Sequence, residues 1–223
     1  MTDIPIEKII RSHRRSVALI ITPEARLIVR APLKAPSEVI TAVIREKEGW
    51  IRKKLAEMKT RPPATVHLYE EGEIFYFLGR AYPLHIVDDG RVAVERTDRL
   101  CVSCPPGTER AGWIKRWYVL EAEKEIRSRC MWFSMTTGYT PASIRISDAR
   151  GRWGSCTSRG GLNFSWRLIQ APLEIVDYVI VHELVHLAHH DHSRRFWNRV
   201  REIMPDYERR RQWLRENERL LRI

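Results

Sequence analysis

The sequence has few cysteines and no long apolar run. Its 223 residues include only four cysteines, whose irregular spacing is unlike the paired pattern of a small disulfide-stabilised secreted domain. The N-terminus lacks the ordered basic, apolar and small-residue segments of a signal peptide. No apolar run approaches the roughly 20 residues of a membrane span. We therefore expect reduced thiols in a cytoplasmic protein without a membrane segment, long enough to bury a real core.

Positive charge dominates the two ends of the chain. The net charge is +11; residues 1–60 carry 13 basic and 7 acidic side chains, and residues 193–223 carry 10 and 5. A basic surface attracts nucleic acid and other polyanions, although solvated helix faces give the same composition. Charge alone does not define a binding mode. We expect, at most, a weak association with nucleic acid through these basic ends.

Residues 1–105 are predicted to form a small β-rich N-terminal domain with one long helix. Apolar and β-branched runs at Arg15–Thr22 and Arg26–Ala31 predict two strands. A helical pattern opens at Pro36 and runs as a single helix to Pro62-Pro63. Short apolar runs between residues 66 and 102 predict a mostly antiparallel sheet, with Asp89-Gly90 as a hairpin turn.

Residues 106–223 are predicted to form a second domain, with the boundary at the proline and glycine cluster of residues 104–107. A long helix should follow, with Trp113, Trp117 and Leu120 on its apolar face. Pro172 suits the first turn of a later helix. The remaining predicted elements are strands at Ser143–Asp148 and Leu162–Trp166, a loop at Arg150–Gly161, and helices at Ser193–Met204 and Pro205–Leu221. The fold class is therefore α+β.

The candidate chemistry lies in the segment His182-Glu183-Leu184-Val185-His186, within a strongly apolar helical stretch. Residues i and i+4 of a helix lie on one face with Cβ atoms about 5–6 Å apart, so His182 and His186 can bind one metal ion. Glu183 flanks that line and can reach a water at the metal without being a ligand. This pattern predicts metal-assisted hydrolysis.

A catalytic zinc ion usually has three protein ligands and one open position. His192, six residues after His186, is the best third ligand if the chain turns sharply near His189, and histidine tolerates the left-handed conformation better than most residues. His189 and His190 compete for the role. A rival geometry takes an acidic ligand from a following helix. Its candidates are Glu202 and Glu208.

The segment HELVHLAHHDHSRRFW, preceded by RGRWGSC, GLNFSWRLIQAP and DYVIVHEL, resembles the YgjP-like metallopeptidase family, relatives of the SprT and WLM peptidases. The resemblance covers about residues 145–200. It implies a zincin-like catalytic domain acting on peptides or proteins, with Zn²⁺ held by His182, His186 and His192 and Glu183 as catalytic base. Asp191 stands where asparagine is common in the family, which removes no ligand.

Three interpretations stay open beside this one. Residues 152–156 are either a structural turn or an edge strand that pairs with an extended substrate. A Cys156 nucleophile would need an electropositive setting that the sequence does not specify. The competing function is a non-catalytic, zinc-stabilised module that binds nucleic acid or protein, in which a fourth ligand such as Glu202 closes the site.

Overall fold

The structure is a computed structural model that describes residues 4–22, 24–60, 67–88, 91–105, 107–218 and 221. The predicted stops and turns at Pro62-Pro63 and Asp89-Gly90 lie outside these residues, as do Pro23 and Pro106. The described chain has six α-helices and three small sheets, so the α+β prediction is confirmed. It divides into two compact units, residues 1–63 and 64–223. Within the described ranges, no helix combines the length and apolarity needed to cross a membrane.

The first unit is a three-stranded sheet with two helices. Its strand order is β1-β3-β2, with β1 parallel to β3 and β2 antiparallel to it. In β3 every second side chain, Leu27, Val29 and Ala31, is buried, which is the period-2 pattern of a half-buried strand. Its elements are β1 (Ile6–Ser12), β2 (Ala18–Ile21), β3 (Leu27–Pro32), α1 (Ser37–Glu46) and α2 (Glu48–Thr60).

The single helix predicted for this unit is interrupted at Lys47 and forms α1 and α2 instead. The Lys47 backbone departs from α-helical angles (φ −100°, ψ 12°). Gly49, a poor helix former, lies two residues later. Ile44 before the break and Ile51 after it are both buried in the core of this unit. Local propensity and packing therefore both favour the break.

The second unit begins with a four-stranded sheet of order β4-β5-β7-β6. Two of its pairings are antiparallel and one, between β5 and β7, is parallel, which confirms a mostly antiparallel sheet. The predicted hairpin at Asp89-Gly90 is wrong, because β5 and β6, the strands on either side of it, do not pair; β5 pairs with β4 and β7. The strands are β4 (Ile74–Phe77), β5 (Arg80–Val87), β6 (Ala93–Arg96) and β7 (Leu100–Ser103).

Helix α3 (Arg110–Thr137) follows this sheet and shares its core. Ile114, Tyr118 and Ala122 on α3 are fully buried, whereas Leu120, expected on the apolar face, is 60% exposed. Because strand side chains such as Phe75 and α3 side chains belong to one core, the chain divides near residue 63 rather than after residue 105.

A second sheet and three helices complete the unit. The sheet has the order β8-β10-β9, with β10 parallel to β8 and antiparallel to β9. A short 3-10 helix at Trp166–Gln170 leads from β10 towards α4. The elements are β8 (Ser143–Ser147), β9 (Gly154–Cys156), β10 (Gly161–Ser165), α4 (Leu173–Val185), α5 (Arg194–Ile203) and α6 (Tyr207–Asn217).

One ion pair ties α3 to α4. Arg129 donates two hydrogen bonds of 2.7 Å to the Asp177 carboxylate, one to each oxygen. This planar, bidentate geometry is the strongest form of the arginine–carboxylate pair. It fixes the helix that carries His182 against the core of the unit.

Candidate metal centre

Helix α4 places the first two histidines of the candidate site. It is apolar on nearly all sides, and Val181, Leu184 and Val185 are fully buried. His182 lies in its last turn and His186 directly follows its last residue, still in helical conformation (φ −63°, ψ −18°). The two imidazole rings are 4.9 Å apart between centroids. The i, i+4 spacing thus brings both rings to one face, as the sequence indicates.

The chain leaves the helix through a tightened turn. Leu187 N–H donates to the Leu184 carbonyl and Ala188 N–H to that of Val185, which are i to i−3 bonds. His189 is not among the residues with positive φ, so the left-handed conformation considered for it is not used. The chain turns through these tightened bonds, and His189 N–H also donates to the Val185 carbonyl at 3.0 Å.

The same turn sets the tautomer of His186. Its Nδ1 lies 2.9 Å from the His189 carbonyl oxygen, which can only accept, so Nδ1 carries the proton. The Nε2 lone pair is then free for a metal, and such an outer hydrogen bond commonly orients a ligating imidazole. His182 lacks this restraint, because its buried Nδ1 has no hydrogen-bond partner in the part of the chain that the structure describes.

His192 returns to the first two histidines after the turn. Its Nε2 lies 3.1 Å from His182 Nε2, and one ligand atom from each of the three histidines lies within 4.8 Å of the others. Zinc–nitrogen bonds of about 2.0–2.1 Å at a tetrahedral angle place two ligand nitrogens about 3.3–3.4 Å apart. The donor set and its spacing therefore fit a metal ion.

Aromatic rings support the three histidines. Phe196 is fully buried, and its ring centroid lies 4.9, 4.5 and 4.9 Å from those of His182, His186 and His192. Trp197 stacks on His192 at 5.6 Å. Because α5 supplies both rings directly after His192, its first turn forms an apolar platform for the ligands.

Burial keeps the inner histidines neutral. Together with smaller contributions from the neighbouring His186 and His192, it lowers the pKa of His182 to about 3. Burial also lowers the pKa of His186. A metal binds the neutral imidazole, so these rings need not lose a proton at pH 7 to become ligands.

The rival acidic ligands lie elsewhere in α5 and α6. Glu202 accepts a 2.8 Å hydrogen bond from Arg199, and the Glu208 carboxylate accepts one of 3.0 Å from the Tyr207 hydroxyl. Among the described residues, the group of three or more potential metal ligands consists of His182, His186 and His192, and it contains neither glutamate. His189 and His190 are also outside it.

Glu183 projects from α4 towards strand β9. Its side chain is buried, and burial raises its pKa to about 7, while the positive charge of Arg152 opposes that rise. A Cβ atom added to Gly154 would lie 2.6 Å from both Cγ and Oε1 of Glu183. The carboxylate therefore lies directly over the backbone of β9, in space that only glycine leaves open.

Strand β9 is an edge strand with one side unpaired among the described residues. Thr157 N–H donates to the Gly161 carbonyl and Ser165 N–H to that of Trp153, both at 2.8 Å. In an antiparallel pair the backbone groups of successive residues face opposite sides. Those of Gly154 and Cys156 consequently face away from β10, next to Glu183.

The Cys156 thiol does not have the setting of a nucleophile. Burial raises its pKa, and the negative charge of Glu183 raises it further. A nucleophilic cysteine needs the opposite shift, since the thiolate is the reactive form.

Comparison with known proteins assigns the family. The family model of the YgjP-like metallopeptidase domain matches residues 15–217, nearly the whole chain. The chain belongs to the YgjP-like metallopeptidase family. This membership implies a metal and a peptidase reaction, and the histidine group could hold that metal.

Other comparisons add little to the family assignment. No curated protein matches the chain. Among solved structures, "Crystal structure of the metallopeptidase zymogen of Pyrococcus abyssi abylysin" matches 42% of this chain and 90% of its own, with 19% identity and a TM-score of 0.35. A likeness this low carries no argument about the site.

Several residues around the candidate site are not predicted from the sequence. Gly154 was visible only as part of the RGRWGSC segment, which carries no sign of its close approach to Glu183. Tyr178, whose ring lies 6.0 Å from that of His182, has a signal in its i, i−4 spacing on the same helix. Arg211, whose guanidinium lies 4.6 Å from the Trp197 ring, has no such signal, because it is distant in sequence.

Proposed function

We propose that this YgjP-like protein is a zinc-dependent endopeptidase with a zincin-like active site, in which His182, His186 and His192 bind the metal and Glu183 is the general base. The observation that carries the proposal is the convergence of three imidazole nitrogens beside one buried carboxylate. Three neutral nitrogen donors suit zinc and leave a fourth position for water or substrate.

The cysteines are free thiols, and we assign the protein to a reducing compartment, the cytoplasm.

A bound zinc ion would acidify a water molecule and polarise the scissile carbonyl. His186 is held for its role by the His189 carbonyl, and His182 and His192 by the Phe196 ring beneath them. Neighbouring groups of the protein thus fix the orientation of all three imidazole donors. Such prior organisation is what catalytic sites require.

Glu183 takes a proton from the attacking water and later gives it to the leaving amine. Its burial and its position over Gly154 keep the carboxylate away from bulk water. General acid–base catalysis of this kind contributes about 10²–10⁴-fold to a rate. Glu183 is next to a ligand in sequence, yet it points to the strand.

The open edge of β9 binds the substrate as an added strand. The backbone groups of Gly154 and Cys156 face outward next to Glu183. An extended peptide can hydrogen-bond to them irrespective of its sequence, which is the β-augmentation mode. This places the scissile bond near both the metal ligands and the base.

The test is metal content and cleavage of an unfolded protein by the wild type beside two variants. We expect about one zinc per wild-type chain, and chelator-sensitive cleavage that added zinc restores. His192→Ala should weaken zinc binding by more than about 100-fold, because it removes a direct ligand. Glu202→Gln, which alters a rival ligand, is the matched control and should keep both zinc and activity.

Two results would contradict the proposal. Zinc retention in His192→Ala with loss in Glu202→Gln would move the third ligand to α5. A wild type with bound zinc, four protein ligands and no cleavage would instead support the non-catalytic binding module. Association with nucleic acid through the basic ends rests on charge alone, and a steep loss of DNA affinity with salt is its separate signature.

A further inference from the structure

A positively charged pocket lies beside the candidate metal centre in the second unit. Its volume is about 250 Å³, smaller than the roughly 300–1,000 Å³ of sites that hold a whole small ligand. It therefore suits one side chain or terminal group. It is lined by residues before β9, by Tyr178 of α4 and by residues of and just after α6, among them Arg150, Arg152, Arg211 and Arg215.

The charge of this arginine pocket is not neutralised by its own lining. Four arginines face one glutamate, Glu218. Elsewhere on α6 the neighbouring Arg209 and Arg210 both form ion pairs with Asp206. None of the four pocket arginines has an ion pair with an acidic side chain in the part of the chain that the structure describes. Arg211 and Arg215 are one helical turn apart and share a face.

The arginine pocket shares structural elements with the candidate site. Tyr178 lies one turn before His182 on α4, and their ring centroids are 6.0 Å apart. The Arg211 guanidinium lies over the ring of Trp197, which stacks on His192. Arg152 and Trp153 directly precede Gly154 on the strand whose open edge faces the substrate. A peptide along that edge would carry a side chain or its terminus to the pocket.

We propose that the arginine pocket binds a carboxylate of the peptide substrate, so that the enzyme prefers peptides with an acidic group at one fixed distance from the scissile bond. This rests on the proposed peptidase function and adds its substrate class. Guanidinium groups remain charged at all relevant pH values and bind carboxylates in a planar, bidentate way. The carboxylate can come from an aspartate or glutamate side chain or from the peptide C-terminus.

The experiment uses the zinc-loaded full chain and fluorogenic decapeptides that carry glutamate or glutamine at one position, scanned across all positions. Each peptide is made with a free and an amidated C-terminus. We expect kcat/KM for the preferred glutamate peptide to exceed that of its glutamine counterpart by about tenfold. Persistence of this difference in the amide identifies a side-chain carboxylate. A kcat/KM that depends on a free C-terminus identifies a terminal carboxylate. Either outcome supports the proposal.

The test variant is Arg150→Gln with Arg215→Gln. It leaves Arg211 on Trp197 and Arg152 near Glu183, so the site itself keeps its neighbours. The variant should erase the preference for the acidic group. Arg116→Gln with Arg145→Gln removes the same charge from two exposed arginines outside the pocket and should retain it.

Failure of this inference differs from failure of the proposed function. Chelator-sensitive cleavage without any preference for an acidic group, or a preference that survives in the pocket variant, overturns the arginine pocket but leaves the peptidase intact. Absence of cleavage of every peptide by zinc-loaded protein overturns the peptidase. In that case fluorescence anisotropy with labelled glutamate and glutamine peptides still tests the pocket, and equal affinities contradict it.

Discussion

Two segments meet at Glu183 and are held by different forces. Residues 182–192 are held by helix geometry, a tightened turn and the buried ring of Phe196. Residues 148–156 are held by polar contacts with distant residues. The Asp148 carboxylate accepts hydrogen bonds from Lys115, Trp166 and Arg167 at 2.8, 2.8 and 2.6 Å. The metal ligands thus depend on apolar packing, and the substrate edge depends on a charged network.

This difference predicts separable defects. A change beneath the histidines should impair metal binding together with stability. A change in the strand should impair turnover while the metal stays bound. The comparison loses its meaning if both kinds of change produce the same defect.

The largest effect on stability is expected from Phe196→Ala. Loss of a fully buried phenylalanine removes apolar contacts and leaves a cavity, which costs about 3–5 kcal/mol of unfolding free energy. The three histidine rings lose their shared platform, so zinc affinity should fall as well. Urea unfolding of the metal-free protein and a zinc-competition titration measure the two effects.

Val200→Ala is the control for that prediction. It shortens another fully buried side chain of α5 and should cost only about 1–2 kcal/mol, with less effect on zinc. Equal losses of zinc affinity in both variants would show that α5 stability, rather than the Phe196 ring, supports the ligands.

Gly154→Ala should act on turnover. The new Cβ would lie 2.6 Å from Glu183 Cγ and Oε1, so the carboxylate or the strand must shift. A displacement of about 1 Å in a catalytic group can cost about 100-fold in rate. We expect that loss in kcat at unchanged zinc content, measured by peptide cleavage and elemental analysis.

Gly49→Ala is the matched control, since an added Cβ there meets nothing within 4 Å and Gly49 lies in the first unit, outside the proposed site. It should keep wild-type kcat. Normal turnover in Gly154→Ala would place the functional carboxylate elsewhere.

The smallest effect is expected from Asp148→Asn, and it depends on pH. Hydrogen bonds from Lys115, Trp166 and Arg167 lower the pKa of Asp148 below its usual range. A carboxylate whose folded-state pKa is depressed contributes stability above its unfolded pKa of about 3.9 and loses it as the pH falls through the folded value. The contribution should therefore be full above about pH 5 and decline below about pH 4.

Half of the Asp148 side chain is exposed while Arg167 is buried, so solvent screens the pair and the cost is about 1–2 kcal/mol at neutral pH. Urea midpoints of Asp148→Asn and wild type should differ at pH 7 and converge as the pH falls. A gap that stays constant below pH 4 would show that the Asp148 charge is not what stabilises the segment.

The same division explains what the sequence could reveal. His182 and His186 are four residues apart on a helix, so their convergence is a local property that spacing predicts. The family resemblance correctly indicated a YgjP-like metallopeptidase. Strand β9 has only three residues, too few for an alternating pattern, so the sequence does not distinguish a turn from a strand there.

Other misses also have long-range causes. Leu120 was assigned to the buried face of α3, but which face is buried depends on the sheet and helices that pack on it. The expected boundary after residue 105 follows a true break in composition, yet strands β4–β7 share the core of α3. Arg150 and Arg215 come together only in the folded chain. Such juxtapositions leave no mark in local sequence.

The measurement that tests the central claim most directly is peptide cleavage by zinc-loaded Glu183→Gln. Glutamine keeps the shape of the side chain but cannot accept a proton from water. The account predicts the zinc content of the wild type and a fall in kcat of about 10²–10⁴-fold. Wild-type cleavage by this variant, at equal zinc content, would contradict the assignment of Glu183 as the base.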